Sequence, residues 1–275
     1  MILPTKVNPQ RLAGSVAVVT GGGGEGEFLG LGATTAILLA AQGAKVGILD
    51  FSPDRAQHTF DLIKEVGGEA TVLQADVTDP ESCVEAVRQI VDTYGSLTTL
   101  VNNAAIVGNG GQILDGDLAA WRQVIEVNMF GVVHMTRAAL PALQEAGGGS
   151  IVNISSIAGI RATGSSAYGA SKGAVQAMTR DLALMHGREG IRVNTILPGH
   201  IYSPMGSGGG EDFRQLRRRA GMLGTEGNPW DIAWAVSFFA SDESRWITAT
   251  ELAVDAGTTQ TIAMTMHRYT TDPND

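Results

Sequence analysis

The chain has one cysteine, Cys83, in 275 residues, so no internal disulfide can form and a reducing compartment is expected. Helix packing is the expected role of that thiol. Positive charge is also scarce. Lysine and arginine number 19 against 28 acidic residues, and a net charge of −9 argues against nucleic acid or an anionic membrane as partner. No uncharged apolar run approaches the ~18 residues that span a bilayer. The opening residues, Met1-Ile-Leu-Pro-Thr-Lys-Val-Asn-Pro9, lack the apolar core of a secretion signal. A cytoplasmic protein that meets neither membrane nor nucleic acid is the expectation.

Glycine is abundant, at 36 residues, and 44% of the chain is hydrophobic, enough to bury a sheet with helices on both faces. Strand and helix signals alternate from Val16 to Asp255 without a linker, which predicts one α/β domain over residues 1–275. Its core is expected at about 12–260, a lid at about 203–227 and a polar tail at 262–275.

Val16-Ala-Val-Val-Thr20 reads as a short branched strand running into glycines, and Gly30-Leu31-Gly32 opens a helix, Ala33 to Gln42, closed by Gly43. A strand, side-chain-free residues and the open N–H groups of a helix amino terminus make a cradle for a pyrophosphate. The next strand, Lys45 to Leu49, ends at Asp50, eighteen residues after Gly32, where a carboxylate can accept both hydroxyls of an adenosine ribose. A 2′-phosphate would meet that carboxylate, and no lysine or arginine lies between Gly21 and Lys45. Like charges ~4 Å apart repel by at most ~4 kcal/mol at an effective dielectric of 20, so the expected cofactor is NAD and not NADP.

The second constellation is Ser155-Ser156-Ile157-Ala158-Gly159 followed by Tyr168-Gly169-Ala170-Ser171-Lys172. Tyr168 and Lys172 are four apart in a segment with helical apolar spacing, Ala167 to Met185, so a phenol and an ammonium share one helix face. A phenol titrates near ~10, and a neighbouring positive charge favours its anion, which predicts a Tyr168 pKa lowered toward neutrality. Ser150 to Ser155 reads as a buried strand whose carboxyl end delivers the Ser156 hydroxyl to the same substrate oxygen.

Ser156, Tyr168 and Lys172, in the setting NISSIAG and YGASK, resemble the classical short-chain dehydrogenase/reductase family, and the likeness extends over about residues 12–260. The resemblance implies a Rossmann-type doubly wound sheet of about seven parallel strands, helices on both faces, with ligand at the strands' carboxyl ends. It implies reversible hydride transfer between NAD and a small-molecule secondary alcohol or ketone. Tyr168 would be the acid/base, Ser156 would orient and polarise the substrate oxygen, and Lys172 would lower the tyrosine pKa and hold the nicotinamide ribose. Asn128, in the helical segment Leu118 to Leu140, matches an asparagine that holds a water leading to the lysine.

By the same resemblance Gly21, Gly30, Leu31 and Gly32 cradle the cofactor, Asp76 and Val77 contact the adenine, and Asn103 and Ala104 border the adenine-ribose path. Ala105 stands where the family has glycine. Pro198, Ile201 and Ser203 would hold the carboxamide. The motifs assign no metal. His200 and Arg161 fall at variable places, and neither is assigned. The usual loop is T-G-x-x-x-G-x-G, but eight residues, Gly22 to Leu29, separate Gly21 from Gly30, an excess of five. Gly30 and Gly32 anchor the alignment, with Gly26 as the rival middle glycine, and Glu25 and Glu27 are expected to face solvent.

Ser207-Gly-Gly-Gly210 precedes a short charged helix, Glu211 to Ala220, whose Arg217-Arg218-Arg219 spread around it and are expected to be mostly solvated. Glycines beside a binding site suggest a lid. The substrate pocket is expected from Ile160 to Thr163, Asn109 and that lid. The resemblance implies a homotetramer through the helices around Asn128 and Tyr168 and the last strand, Thr250 to Asp255. Two other readings stay open: an NADP-dependent 3-oxoacyl carrier reductase, and a non-catalytic protein that senses NAD.

Overall fold

The computed structural model describes residues 7–108, 113–114, 116–262, 264 and 266. Seven parallel strands form one sheet in the order β3-β2-β1-β4-β5-β6-β7. They are β1 Val16–Thr20, β2 Lys45–Asp50, β3 Glu69–Gln74, β4 Thr99–Asn102, β5 Gly149–Ile154, β6 Ile191–Pro198 and β7 Glu251–Val254. The order reverses between β1 and β4, so a crevice opens at their carboxyl ends.

Helices cross over between strands: α1 Leu31–Ala41, α2 Pro53–Glu65, α3 Pro80–Tyr94, α4 Leu118–Ile125, α5 Gly131–Glu145, α6 Ser166–His186, α7 Gly210–Ala220 and α8 Pro229–Ala240. Three of them start alike. Ser52, Asp79 and Asn228 each accept a backbone N–H with the side chain, and a proline follows at the first helical position, where its missing N–H costs nothing.

Alternate strand residues serve opposite faces. Ala17, Val19, Val46, Ile48 and Val152 pack under α1, α2 and α8, while Val16, Val18, Leu49, Leu100 and Ile151 pack under α3, α5 and α6. Strands buried on both faces read as continuous apolar runs, as these do. The central strands also carry a polar row beneath the crevice. Asn102 donates to Asn153 at 2.9 Å, and Asn153 donates to Thr179 on α6 at 2.9 Å.

The segment expected as one helix, Leu118 to Leu140, is interrupted. Residues Glu126–Phe130 form a turn of π-helix between α4 and α5, and Asn128 sits in it with no exposed surface. From that turn its side-chain amide bonds outside the helix, to the backbone of Ile106.

Candidate active site

A cavity of about 1130 Å³ runs along the carboxyl ends of the strands, from Asp50 at one end to Tyr168 and Met205 at the other. At the first end, Gly21 turns with φ +60°, and a Cβ on Gly32 would lie 2.0 Å from the Gly21 carbonyl oxygen. Only glycine permits that approach of helix to turn. Gly30 begins α1 without a side-chain cap, so no cap stands between the first-turn N–H groups and the cavity that Gly30, Leu31 and Gly32 line. Gly26, the rival, lies on the exposed outer loop and does not line the cavity. Glu25 and Glu27 are both exposed, though Glu25 stands on the cavity's rim.

Asp50 is buried, its carboxylate held by the N–H groups of Gly23 at 2.9 Å and Ser52 at 3.0 Å. Its position is therefore set by backbone on both sides. Arg55 lines the cavity in the same corner, with its Nη2 3.5 Å from the Gly23 carbonyl. Sequence reasoning missed it because the scan for a cation stopped at Lys45. Arg55 is five residues past Asp50, where the first turn of α2 curls back over the strand end.

Asp76 and Val77 line the next stretch, and the Asp76 carboxylate accepts both the N–H and the hydroxyl of Thr78. Asn103 also faces the cavity, but its amide is spent inward, donating to the carbonyls of Thr20 at 2.9 Å and Gly21 at 3.1 Å. It fixes the glycine turn. Ala104 packs against Gly21 so closely that a Cβ there would meet its Cα at 2.9 Å.

At the far end, Ser156 leaves β5 and caps a short turn, Ile157–Gly159, by accepting the Ala158 N–H at 3.1 Å. That turn rests on α6 through glycine. A Cβ at Gly159 would come within 2.4 Å of the Gln176 amide and 2.9 Å of the Gly173 nitrogen. Gln176 ties the pieces further, donating to the Ser155 hydroxyl at 2.9 Å, while that hydroxyl donates to the Lys172 carbonyl at 2.8 Å. Ser156, Tyr168 and Lys172 are thereby brought to one wall of the cavity.

Lys172 is buried, and its Nζ donates to the Ile154 carbonyl at 2.7 Å, 5.6 Å from the centre of the Tyr168 ring. Burial pulls the ammonium down from its ordinary value to about 8. Tyr168 moves the other way from the sequence expectation. Loss of solvent raises its pKa, and a hydrogen bond with Ser156 only partly offsets that. The expectation weighed the charge of Lys172 alone and left out the desolvation that the cavity wall imposes on both groups.

Asn128 closes a reciprocal pair with Ile106, accepting its N–H and donating to its carbonyl, each at 2.8 Å. It also donates to the Ser171 hydroxyl at 3.1 Å, one residue before Lys172. Pro198, Ile201 and Ser203 line the cavity opposite Tyr168, with Ile201 and Ser203 buried. His200 turns away into a second cavity of about 200 Å³, and Arg161 donates to the carbonyls of Ile160 and Thr259. Ile160 to Thr163 do not line the main cavity, Met205 and Gly206 do, and Asn109 lies outside the described residues.

Of the three arginines expected to be mostly solvated, Arg219 is exposed and Arg218 half-buried, but Arg217 is buried. Its side chain is 7% exposed and donates to Glu226 at 3.0 Å, and Arg214 donates to the same carboxylate at 2.7 Å. The acid that collects them lies past the helix, so the helix's own periodicity gave no sign of it.

The cavity fits a dinucleotide in shape and chemistry: a glycine-bounded helix end, a fixed carboxylate beyond it, and a phenol with a lysine at the opposite end. Known proteins are similar to this chain in sequence and in fold. A family model described as enoyl-(acyl carrier protein) reductase matches residues 26–259. The 2,5-dichloro-2,5-cyclohexadiene-1,4-diol dehydrogenase LinX of Sphingobium indicum is 38% identical over 248 residues, 90% of this chain and 97% of the relative. Cyclohexanol dehydrogenase of Acinetobacter is 34% identical, covering 92% of this chain and 98% of the relative. Among solved structures, carveol dehydrogenase from Mycobacterium avium in complex with NAD superposes with a TM-score of 0.86 at 31% identity, covering 92% of this chain and all of that one.

Proposed function

Because the chain belongs to the short-chain dehydrogenase/reductase family, we propose a mechanism in which Tyr168 exchanges a proton with the oxygen of a secondary alcohol or ketone. The protein is an NAD(H)-linked oxidoreductase of the alcohol dehydrogenase kind, as its relatives are. The nicotinamide, when bound, takes up or gives the hydride at the carbon. In oxidation the Tyr168 phenolate receives the hydroxyl proton; in reduction the neutral phenol returns it to the carbonyl oxygen. The Ser156 hydroxyl donates to that oxygen and steadies the charge that develops on it. Lys172 keeps a positive charge beside the phenol below about pH 8, which favours the phenolate. Asn128 ties the Ile106 loop to Ser171 on α6, so that Lys172 keeps its place.

The observation that carries this reading is one continuous cavity with Asp50 and the glycine turn at one end and Ser156, Tyr168 and Lys172 at the other. Asp50 supports a preference for NAD, since a 2′-phosphate would meet its carboxylate. The relatives' ring alcohols and the apolar Ile106, Val107 and Met205 in the lining support an alicyclic secondary alcohol as substrate. Two further proposals rest on lesser support. No helix among the described residues is long and apolar enough to cross a membrane, and with the lone buried Cys83 this favours the cytoplasm. Exposed Leu118, Phe130, Val133, Leu184, Met185 and Trp246 favour association of copies into a homotetramer.

The test is Tyr168→Phe, assayed with NAD and a panel of cyclic secondary alcohols. Turnover is expected to fall by at least about 10³-fold, while the dissociation constant for NAD changes by less than about threefold, since the ring is kept. Retained turnover overturns the mechanism.

A further inference from the structure

The eight residues from Gly22 to Leu29 are the part of the chain that the resemblance does not account for, and they have a definite path. Their inner half is pinned to β2 and α2. The Gly22 N–H bonds the Leu49 carbonyl, that of Gly23 the Asp50 carboxylate and that of Gly24 the Arg55 carbonyl, while His58 bonds the Gly26 carbonyl at 2.9 Å. Leu29 then dips into the core. Between these anchors Phe28 is left 39% exposed on the wall of the main cavity.

An exposed phenylalanine in a loop anchored on both sides calls for a partner, and it has one in Tyr202, on the segment that follows β6. The Phe28 and Tyr202 rings lie 4.7 Å apart between centroids, at 36°. Tyr202 stands between Ile201 and Ser203, two lining residues at the end proposed for the nicotinamide. It is held from behind as well. Its N–H bonds the Gly227 carbonyl at 2.8 Å, and the Arg214 guanidinium lies 3.9 Å from its ring centre. Arg214 in turn is fixed by the buried Glu226. An unbroken series of contacts therefore runs from the Asp50 corner through Phe28 and Tyr202 to α7.

We propose that Phe28 is a positioning residue that acts through Tyr202: the two rings close over the cleft, hold the Ile201–Ser203 segment in place, and must part before a dinucleotide leaves. The proposal rests on the reading of this cleft as the dinucleotide site. It gives the insertion a purpose, since a three-residue loop would not carry an aromatic ring as far as Tyr202. It also gives a role to Tyr202, a large ring flanked by an arginine that shares the Glu226 carboxylate with Arg217.

The test measures NADH release by stopped-flow chase from the wild type, Phe28→Ala, Tyr202→Ala and the double variant. Each single variant is expected to release NADH about tenfold faster, equivalent to about 1.4 kcal/mol. The double variant is expected to release it no faster than either single one, because both remove the same contact. Phe28→Trp should restore slow release. Release at the wild-type rate from Phe28→Ala, or effects that multiply in the double variant, overturns the latch. Wild-type protein that binds no dinucleotide overturns the cofactor reading instead. Circular dichroism and melting temperature of the cofactor-free variants report folding separately, and Phe28→Leu replaces Phe28→Ala where the latter does not fold.

Discussion

At the scale of single residues, burial sets the chemistry as much as neighbouring charge does. Tyr168 is raised by desolvation and Lys172 is lowered to about 8, so at neutral pH the phenol is protonated and the ammonium still charged. A protonated phenol suits ketone reduction, and the phenolate that oxidation needs appears only as pH rises. Single-turnover oxidation of an alcohol is therefore expected to accelerate from pH 7 to 8, by up to about tenfold, and less steeply above pH 8, where Lys172 loses the charge that favours the phenolate, while reduction stays flat from pH 6 to 8. Lys172→Met removes the positive charge and is expected to move the oxidation limb to still higher pH. Rapid-mixing rates at fixed temperature decide this, and an oxidation rate that is flat from pH 7 to 8 contradicts it. Cofactor choice is expected to turn on a pair of side chains. Asp50 would repel a 2′-phosphate, and Arg55 in the same corner would attract one. Asp50→Ser alone is expected to shift the ratio of kcat/KM values toward NADP by about a hundredfold, a discount on the ~4 kcal/mol upper figure for the unscreened repulsion. Adding Arg55→Gln should take back most of that gain. An Asp50→Ser enzyme whose NADP use ignores the state of Arg55 would remove Arg55 from the account.

At the scale of elements, the legible parts were those where one local rule decides. β1 and β2 are apolar runs ended by glycine or aspartate, and α3 and α8 are announced by a capping side chain and a proline. Tyr168 and Lys172 needed only the helical spacing to fall on one face. What escaped depended on partners far away in the chain. The π turn carries Asn128, whose amide pairs with Ile106, 22 residues earlier, and the buried Arg217 pairs with Glu226, beyond the end of α7. Arg55 and Phe28 enter the cavity only through the folding of the glycine loop against α2. The π turn carries its own expectation. Asn128→Ala leaves both backbone groups of Ile106 without their partner, and two orphaned polar groups cost about 2–4 kcal/mol together. Urea unfolding should show that loss with an unchanged slope, and a loss under about 1 kcal/mol would mean that water replaces the amide.

At the scale of the whole molecule, the one thiol offers a measure of how ligand and fold are linked. Cys83 lies on α3 with no exposed surface, packed among Val18, Leu73 and Ile90. Burial, with Asp79 and Asp76 nearby, pushes its pKa up to about 12, so the nucleophilic thiolate is almost absent at neutral pH while the chain is folded. A thiol reagent should react only when the core opens. Cys83 also bonds the carbonyls of Asp76 and Val77, which line the end of the cavity assigned to the adenine. Anything that binds the folded state there and not the unfolded chain adds RT ln(1 + [L]/Kd), about 2.7 kcal/mol at a hundred times the dissociation constant. If the thiol is reached through global unfolding in rapid equilibrium, labelling is then expected to slow about a hundredfold when NAD is raised to that concentration. If α3 frays by itself, the thiol is reached without disturbing the ligand, and NAD slows labelling hardly at all. Labelling followed by mass spectrometry across a series of NAD concentrations separates the two. A rate that falls in proportion to NAD above its dissociation constant makes the adenine end of the cavity and the core beneath α3 one cooperative unit, and a rate indifferent to NAD divides them.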